Sequence, residues 1–245
     1  MENTKRLNKA ISETGYCSRR EADRLIEDNR VMVNGKPSSL GVQVTDTDEI
    51  CIDGKPIKKG VSLVYIAFNK PPGITCTTDI SIKGNIISFI NYPERIFHIG
   101  RLDKASEGLI FLTNDGDIVN KILRSTNEHE KEYIVTVNKP ITAYFLQKMS
   151  QGVPILDTIT NPCEVNQINE STFSIILTQG LNRQIRRMCE YLGYEVRKLK
   201  RIRIMNVSLG SLKMGQYRYF TKKELQTILQ LVESSSKTVP EIVSE

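Results

Sequence analysis

The chain has 245 residues, 39% of them hydrophobic, with 34 Lys and Arg against 28 Asp and Glu and a net charge of +6. That balance excludes whole-chain disorder, and no apolar run approaches the ~20 residues that a membrane-spanning helix requires. The start, Met1-Glu2-Asn3-Thr4-Lys5-Arg6, lacks the apolar stretch of a secretory signal, so a soluble cytoplasmic protein without a membrane partner is expected.

Apolar residues at Leu7, Ala10, Ile11 and Tyr16 predict a short amphipathic helix with a turn at Gly15. Ser18-Arg19-Arg20-Glu21 forms a capping box opening a second helix, with Ala22, Leu25 and Ile26 inward and Arg19, Arg20 and Arg24 on its outer face. Val31 to Lys36 and Ile50 to Ile57 predict small hairpins at Asn34-Gly35 and Asp53-Gly54. Residues 1–53 thus form a compact helix-helix-strand unit, 54–61 a linker, 62–233 a second and larger domain, and 234–245 a polar, mobile tail. In the larger domain, strands are predicted from Ser62 toward Phe68 and over Leu109–Thr113, Lys131–Val137, Cys163–Ile168, Phe173–Thr178 and Tyr194–Asn206. Helices are predicted over Ile86–Ile90, Asp117–Leu123, Thr142–Met149, Arg183–Leu192 and Lys222–Val232. Their irregular alternation argues for an α+β fold rather than a regular β-α-β winding.

The charge is localised. From Gln179 to Arg203 eight cations face only Glu190 and Glu195, an excess equal to the net charge of the whole protein. A second basic cluster, Lys5, Arg6, Lys9, Arg19, Arg20 and Arg24, lies near the start, interleaved with acids. Phosphate loops, dinucleotide fingerprints, H-E-x-x-H and G-x-S-x-G are missing. His98 and His129 are better read as structural, Asp115 and Asp117 as a turn and a helix cap, and no metal ligand set emerges. The five cysteines contain no C-x-x-C pair and are expected as reduced, buried or incidental thiols. The dense segment is Gly100-Arg101-Leu102-Asp103-Lys104-Ala105-Ser106-Glu107-Gly108, a charged loop before an apolar strand. Such a loop holds a side chain firmly while presenting it to a ligand. Read alone, Asp103 could equally satisfy nearby backbone amides.

Two resemblances sharpen this reading. Arg6-Leu7-Asn8-Lys9, Cys17 to Asp23 and Val31 to Lys36 resemble the S4-type RNA-binding domain. Gly100-Arg101-Leu102-Asp103, with Ser106, Gly108 and Thr113 to Gly116, resembles the catalytic motif of the RsuA-like RNA pseudouridine synthases, which carry such a domain at the N-terminus. Asn69 to Gly73 is similar to that family's early structural motif, Lys131-Glu132-Tyr133 to its tyrosine motif, and Asn182 to Met188 to the motif bearing its basic partner. The resemblance runs from Leu7 to about Leu231. Within the family, Gly180 to Glu190 and Arg203 to Val207 are most similar to the F-type branch acting on 23S ribosomal RNA.

The resemblance implies a mainly antiparallel mixed sheet and an enzyme that breaks the N1–C1′ bond of uridine, turns the uracil and rejoins it through C5. No cofactor is implied. Asp103 becomes the essential carboxylate, attacking C1′ or removing the 2′ proton; either role requires an ionised carboxylate beside a cation. Arg186 becomes its bidentate partner, and Tyr133, on an alternating strand with Val135 and Val137, packs on the uracil and assists proton removal from C5. Glu107 is the nearest second acid for a competing glycosidase-like pair, but the resemblance gives it no role. The target must be flipped out of its stack, with Arg101 filling the vacated space or supporting the flipped base. Arg183, Arg187, Lys198, Lys200, Arg201 and Arg203 are expected to grip phosphates, Lys198 and Lys200 from the strand face opposite Leu199. The partner is then structured RNA, 23S rRNA and also tRNA, acted on by a monomer. A non-catalytic ribosome-assembly factor is the competing reading; the joint presence of Asp103, Tyr133 and Arg186 argues against it.

Overall fold

A computed structural model describes residues 4–58, 60–123 and 128–233; the expected tail over 234–245 lies outside the described residues. The chain divides into two compact units. One comprises Met1–Val64 with Tyr92–Phe97 and Asn114–Gly116, the other Tyr65–Asn91, His98–Thr113 and Asp117–Glu245.

In the first unit, Leu7, Ala10 and Ile11 bury one face of the helix Leu7–Glu13, and Ala22, Leu25 and Ile26 that of Arg19–Glu27. With Cys17, Val31, Val44, Ile50 and Ile52 they form a small core. Tyr16, expected on the first helix's apolar face, lies beyond its end and is 51% exposed. The helix stops at Glu13 because Thr14 and Gly15 turn back onto the carbonyls of Ile11 and Ser12. Ser18 Oγ caps the second helix by accepting from the Glu21 N–H at 3.2 Å. Four short strands follow in the order Lys36–Pro37, Val31–Val33, Ile50–Ile52, Lys55–Pro56. Both hairpin turns have positive φ at their two central residues, 50° and 75° at Asn34-Gly35 and 50° and 73° at Asp53-Gly54. That is the type I′ geometry matching strand twist. Lys55–Pro56, expected to open a linker, is therefore folded back as an edge strand.

The second unit is built on a sheet ordered Glu164–Asn169, Thr172–Leu177, Lys131–Val137, Val196–Ile204, Glu107–Thr113, Tyr65–Lys70, Tyr217–Tyr219. Neighbours along it are antiparallel except Val196–Ile204 against Glu107–Thr113, so the fold is α+β with a mainly antiparallel mixed sheet. At the parallel seam Gly108 faces Arg201. Its φ of 106° and a Cβ that would collide with the Arg201 backbone carbonyl leave room for glycine alone. The helices Gly116–Leu123 and Lys222–Glu233 bring Ile118, Ile122, Ile228 and Val232 into one core with Ala67, Leu109 and Phe111. The last helix carries both halves of a capping box: Glu224 N–H donates to Thr221 Oγ1 at 3.1 Å and Thr221 N–H to Glu224 Oε2 at 2.8 Å.

Strand alternation decides which side chains face the site. Lys131, Tyr133, Val135 and Val137 are buried on one face. The register Tyr133 opposite Arg201 and Val135 opposite Leu199 puts Arg201 and Leu199 there too. Lys198 and Lys200 point the other way, as expected from the sequence.

Candidate active site

A cavity of about 520 Å³ opens over this sheet face, with Lys131, Tyr133, Leu199 and Arg201 from the strands, Arg101 to Lys104 and Ser106 from the loop before Glu107–Thr113, and Arg183 to Arg186 from the start of the helix Gln184–Tyr191. Asp103 is the single carboxylate among its described lining residues.

The loop bearing Asp103 is pinned from below. Lys70, fully buried, donates from Nζ to the carbonyls of Ser106 at 2.7 Å, Pro71 at 2.9 Å and Lys104 at 3.4 Å. Gly73 N–H donates to Lys104 O at 2.7 Å, and Ser106 N–H closes a turn onto Asp103 O at 3.0 Å. Burial holds the Lys70 ammonium below its ordinary pKa, against the opposing pull of nearby acidic groups including Asp103 and Glu107. This gives Asn69-Lys70-Pro71-Pro72-Gly73 its physical meaning: one ammonium gathers three loop carbonyls and sets the height of the carboxylate.

Two arginines approach that carboxylate. Arg186 Nε lies 3.4 Å and Arg183 Nη1 3.7 Å from Asp103 Oδ2. The expected two-pronged contact is not formed, because Arg186 directs Nη2 to Ser106 Oγ at 3.2 Å and Nη1 to Val196 O at 3.3 Å. Its guanidinium is fixed by the loop and by the sheet, and Nε faces Asp103 without forming a hydrogen bond. Attraction without a tight bond leaves the carboxylate oxygens available to a substrate. Arg183 takes a left-handed φ of 51° immediately before the helix, a conformation costing roughly 1–2 kcal/mol for a residue with a Cβ.

Tyr133, 9% exposed, forms part of the cavity floor, with the Arg201 Cζ 5.9 Å from its ring centroid. Arg101 is exposed at the same cavity. Of the residues expected to grip phosphates, Arg187 instead clamps its own loop through Asn182 O and Oδ1 at 3.1 and 3.3 Å. Arg203 is committed to Glu132 at 2.8 Å, Glu130 at 3.0 Å and Met205 O at 2.9 Å. Arg201 is 4% exposed and donates to Leu109 O at 2.7 Å, so it lies inside the site, not along a phosphate track. Lys198 and Lys200 carry no ion pair among the described residues. In the first unit, Lys5 pairs with Glu13 and Asp46 and Lys9 with Glu13; the side chains of Arg6, Arg19, Arg20 and Arg24 are exposed.

Lys70, Ser106 and Lys131 carry no role by their motifs alone, and Arg201, expected among the phosphate-gripping residues, is buried with them. The signal for Arg201 was present: alternation that turns Lys198 and Lys200 outward turns Arg201 inward with Leu199. Other chemistry recedes. Burial pushes Cys17 and Cys163 up to about 11 and Cys189 to about 12, so these thiols are inert near neutral pH. His98, its Nδ1 2.7 Å from Gly100 O, and His129 are both held below the ordinary imidazole pKa by burial. No cluster of metal-ligating side chains occurs among the described residues, nor any helix long and apolar enough to cross a membrane.

The family profile for RNA pseudouridylate synthase matches residues 64–191, more than half of the chain, and includes every residue lining this cavity except Leu199 and Arg201. The chain belongs to this family. An S4 domain profile matches residues 5–50, so the synthase carries an S4 domain ahead of its catalytic fold. Over 236 residues the synthase is 56% identical to the dual-specificity RNA pseudouridine synthase RluF of Escherichia coli K12, covering 96% of this chain and 81% of that one. It is 34% identical to the ribosomal large subunit pseudouridine synthase B of Bacillus subtilis, covering 93% of this chain and 97% of the other. A crystal structure of a pseudouridylate synthase superposes with a TM-score of 0.68 at 29% identity, covering 91% of this chain and 99% of that structure. The synthase is therefore an isomerase of RNA uridine.

Proposed function

We propose that this synthase isomerises a specific uridine of 23S ribosomal RNA, and accepts tRNA as well, with Asp103 as the carboxylate acting at C1′. The observation that carries the assignment is the site's composition. One carboxylate stands beside two arginines over a buried tyrosine, and no second carboxylate lines the cavity among the described residues. Hydrolysis by a carboxylate pair needs that second acid; rearrangement does not. Asp103 either bonds C1′ as the N1–C1′ pair departs onto the uracil, or takes the 2′ proton to leave a glycal. Tyr133 holds the uracil while it turns, and assists loss of the C5 proton after C5 has bonded to C1′. Arg183 and Arg186 hold the carboxylate, and Arg101 fills the stack that the flipped nucleotide vacates, a step costing a few kcal/mol. RNA as the polymer follows from the family and the S4 domain; the ribosomal assignment leans on the name of the Bacillus subtilis relative, and a second substrate class on the dual specificity in the name of the Escherichia coli one. A monomer acting in the cytoplasm completes the reading.

Asp103→Asn is the test. Pseudouridines are mapped by carbodiimide adducts and primer extension in cells carrying the wild-type or the variant protein, and RNA affinity is measured on the purified protein. The variant is expected to lose the modification and keep most of the affinity; unchanged modification overturns the assignment of Asp103. Modification lost from rRNA and retained in tRNA, or the reverse, would correct the substrate.

A further inference from the structure

Arg201 is a guanidinium with an unmet donor. It is 4% exposed, Nε is used by Leu109 O, and Nη2 is buried without a hydrogen-bond partner among the described residues. No carboxylate lies within ion-pair distance of it among those residues. Leaving a buried cation uncompensated costs several kcal/mol, and a buried arginine with a merely structural role is normally paired. Arg201 lies instead in the cavity wall beside the Tyr133 ring. Lys131, on the same floor, is equally without a carboxylate: its Nζ donates to His129 O at 2.7 Å and Thr178 O at 3.2 Å. Burial, reinforced by the Arg201 charge, lowers its pKa to about 8.

The reaction supplies an anion at this depth. When N1–C1′ breaks, the bonding pair stays on N1 and delocalises onto O2 and O4 of the uracil; the deficiency at C1′ is met by Asp103 or by loss of the 2′ proton. The uracil then bonds C1′ through C5 as the Asp103–C1′ bond breaks or, in the glycal route, as Asp103 returns the proton to C2′; it loses the C5 proton and regains a proton on N1, so atoms and electrons balance without a co-reactant. We propose that Arg201 touches the flipped uracil and stabilises the negative charge it takes on as the N1–C1′ bond breaks. Phosphates remain with the exposed strand of RNA at the cavity mouth, near Arg101 and Lys104, whereas Arg201 lies beside the ring that receives the base. A fixed donor aimed at developing charge in a water-poor site is a strong device, because it needs no reorganisation during the reaction.

This inference rests on the proposed role of Asp103, and the experiment separates the two. Full-length Arg201→Gln and Arg201→Lys are compared with wild type in single-turnover loss of the target nucleoside from RNA containing uridine or 5-fluorouridine at that position. Fluorine withdraws electrons and stabilises the departing base by itself. Arg201→Gln is expected to slow loss of uridine about 10²-fold and loss of 5-fluorouridine much less, with RNA affinity retained; Arg201→Lys recovers part of the rate. Equal losses on both substrates, an unchanged rate, or weakened affinity at normal rate (the mark of phosphate binding) would overturn it. If Arg201→Gln fails to fold, the same comparison on Arg201→Lys decides. Asp103→Asn is run alongside: residual turnover there overturns the catalytic reading itself, whereas an inactive Asp103→Asn with no leaving-group dependence in the Arg201 variants removes only the present inference.

Discussion

Arg186 shows how much of a catalytic interaction can lie in geometry and how little in charge. Its two Nη atoms are spent on Ser106 Oγ and Val196 O, which leaves Nε 3.4 Å from Asp103. A lysine keeps one positive charge but cannot reach three groups in one plane. Arg186→Lys is therefore expected to slow single-turnover conversion by about 10²-fold, with little change in RNA affinity. Lys131 makes a prediction in pH. Its folded pKa of about 8 lies below the ordinary 10.5, so between these values the unfolded chain holds a proton that the folded chain has released. Stability contributed by Lys131 thus rises with pH through this window, and below it the residue costs at most about 3 kcal/mol. Urea unfolding of wild type and Lys131→Met should show the difference between them moving in favour of wild type from pH 8 to 10.5. A gap independent of pH would contradict the buried ammonium. The burial of Lys131 and Arg201 is not visible in their chemistry alone; Lys and Arg are ordinarily surface residues, and only the period of the strands places these two inward.

At the scale of elements, local chemistry fixes turns, caps and alternation. Asn-Gly and Asp-Gly turns, the cap at Ser18 and the alternation over Lys131–Val137 depend on residues within a few positions of one another, and each appears where its residues predict it. What escaped reading has no local signal. Tyr217–Tyr219 is three residues long and becomes a strand because Tyr65–Lys70 offers it an edge. Lys55–Pro56 looks like a linker until the turn before it folds the chain back. The parallel seam between Glu107–Thr113 and Val196–Ile204 likewise depends on Gly108, whose importance comes from a strand about ninety residues away. Gly108→Ala should cost about 2 kcal/mol or more, since both φ and the Arg201 carbonyl oppose a methyl group. Thermal unfolding measures it. Turnover should fall further than stability alone explains, because this seam joins the strand after Asp103 to the strand bearing Arg201.

For the whole molecule, the net charge of +6 is a poor guide to the surface that meets RNA. Of the eight cations between Gln179 and Arg203, Arg183 and Arg186 serve Asp103, Arg187 clamps Asn182, Arg197 pairs with Glu195, Arg203 with Glu130 and Glu132, and Arg201 is buried. Lys198 and Lys200 carry no ion pair among the described residues. Replacing both with Gln should reduce the slope of log affinity against log salt by about 0.7 for each phosphate no longer neutralised. Arg203→Gln should leave that slope unchanged and lower thermal stability, since it empties a network with two glutamates. A double variant whose slope equals that of wild type would mean that the RNA path lies elsewhere.

By itself the sequence determined the class of fold, most elements, the S4 domain, and the motifs that name the family and single out Asp103, Tyr133 and Arg186. Those features are written in short-range patterns: periods of two and 3.6 residues, capping pairs and contiguous motifs. Only the tertiary structure decided what each cation is for. The hydrogen bonds that settle it join Arg203 to Glu132, Arg186 to Ser106 and Arg201 to Leu109 across 71, 80 and 92 positions. A guanidinium's function depends on which partner comes within hydrogen-bond reach and how much water is left around it. Both are properties of packing, and packing between distant strands is carried by no single stretch of the chain.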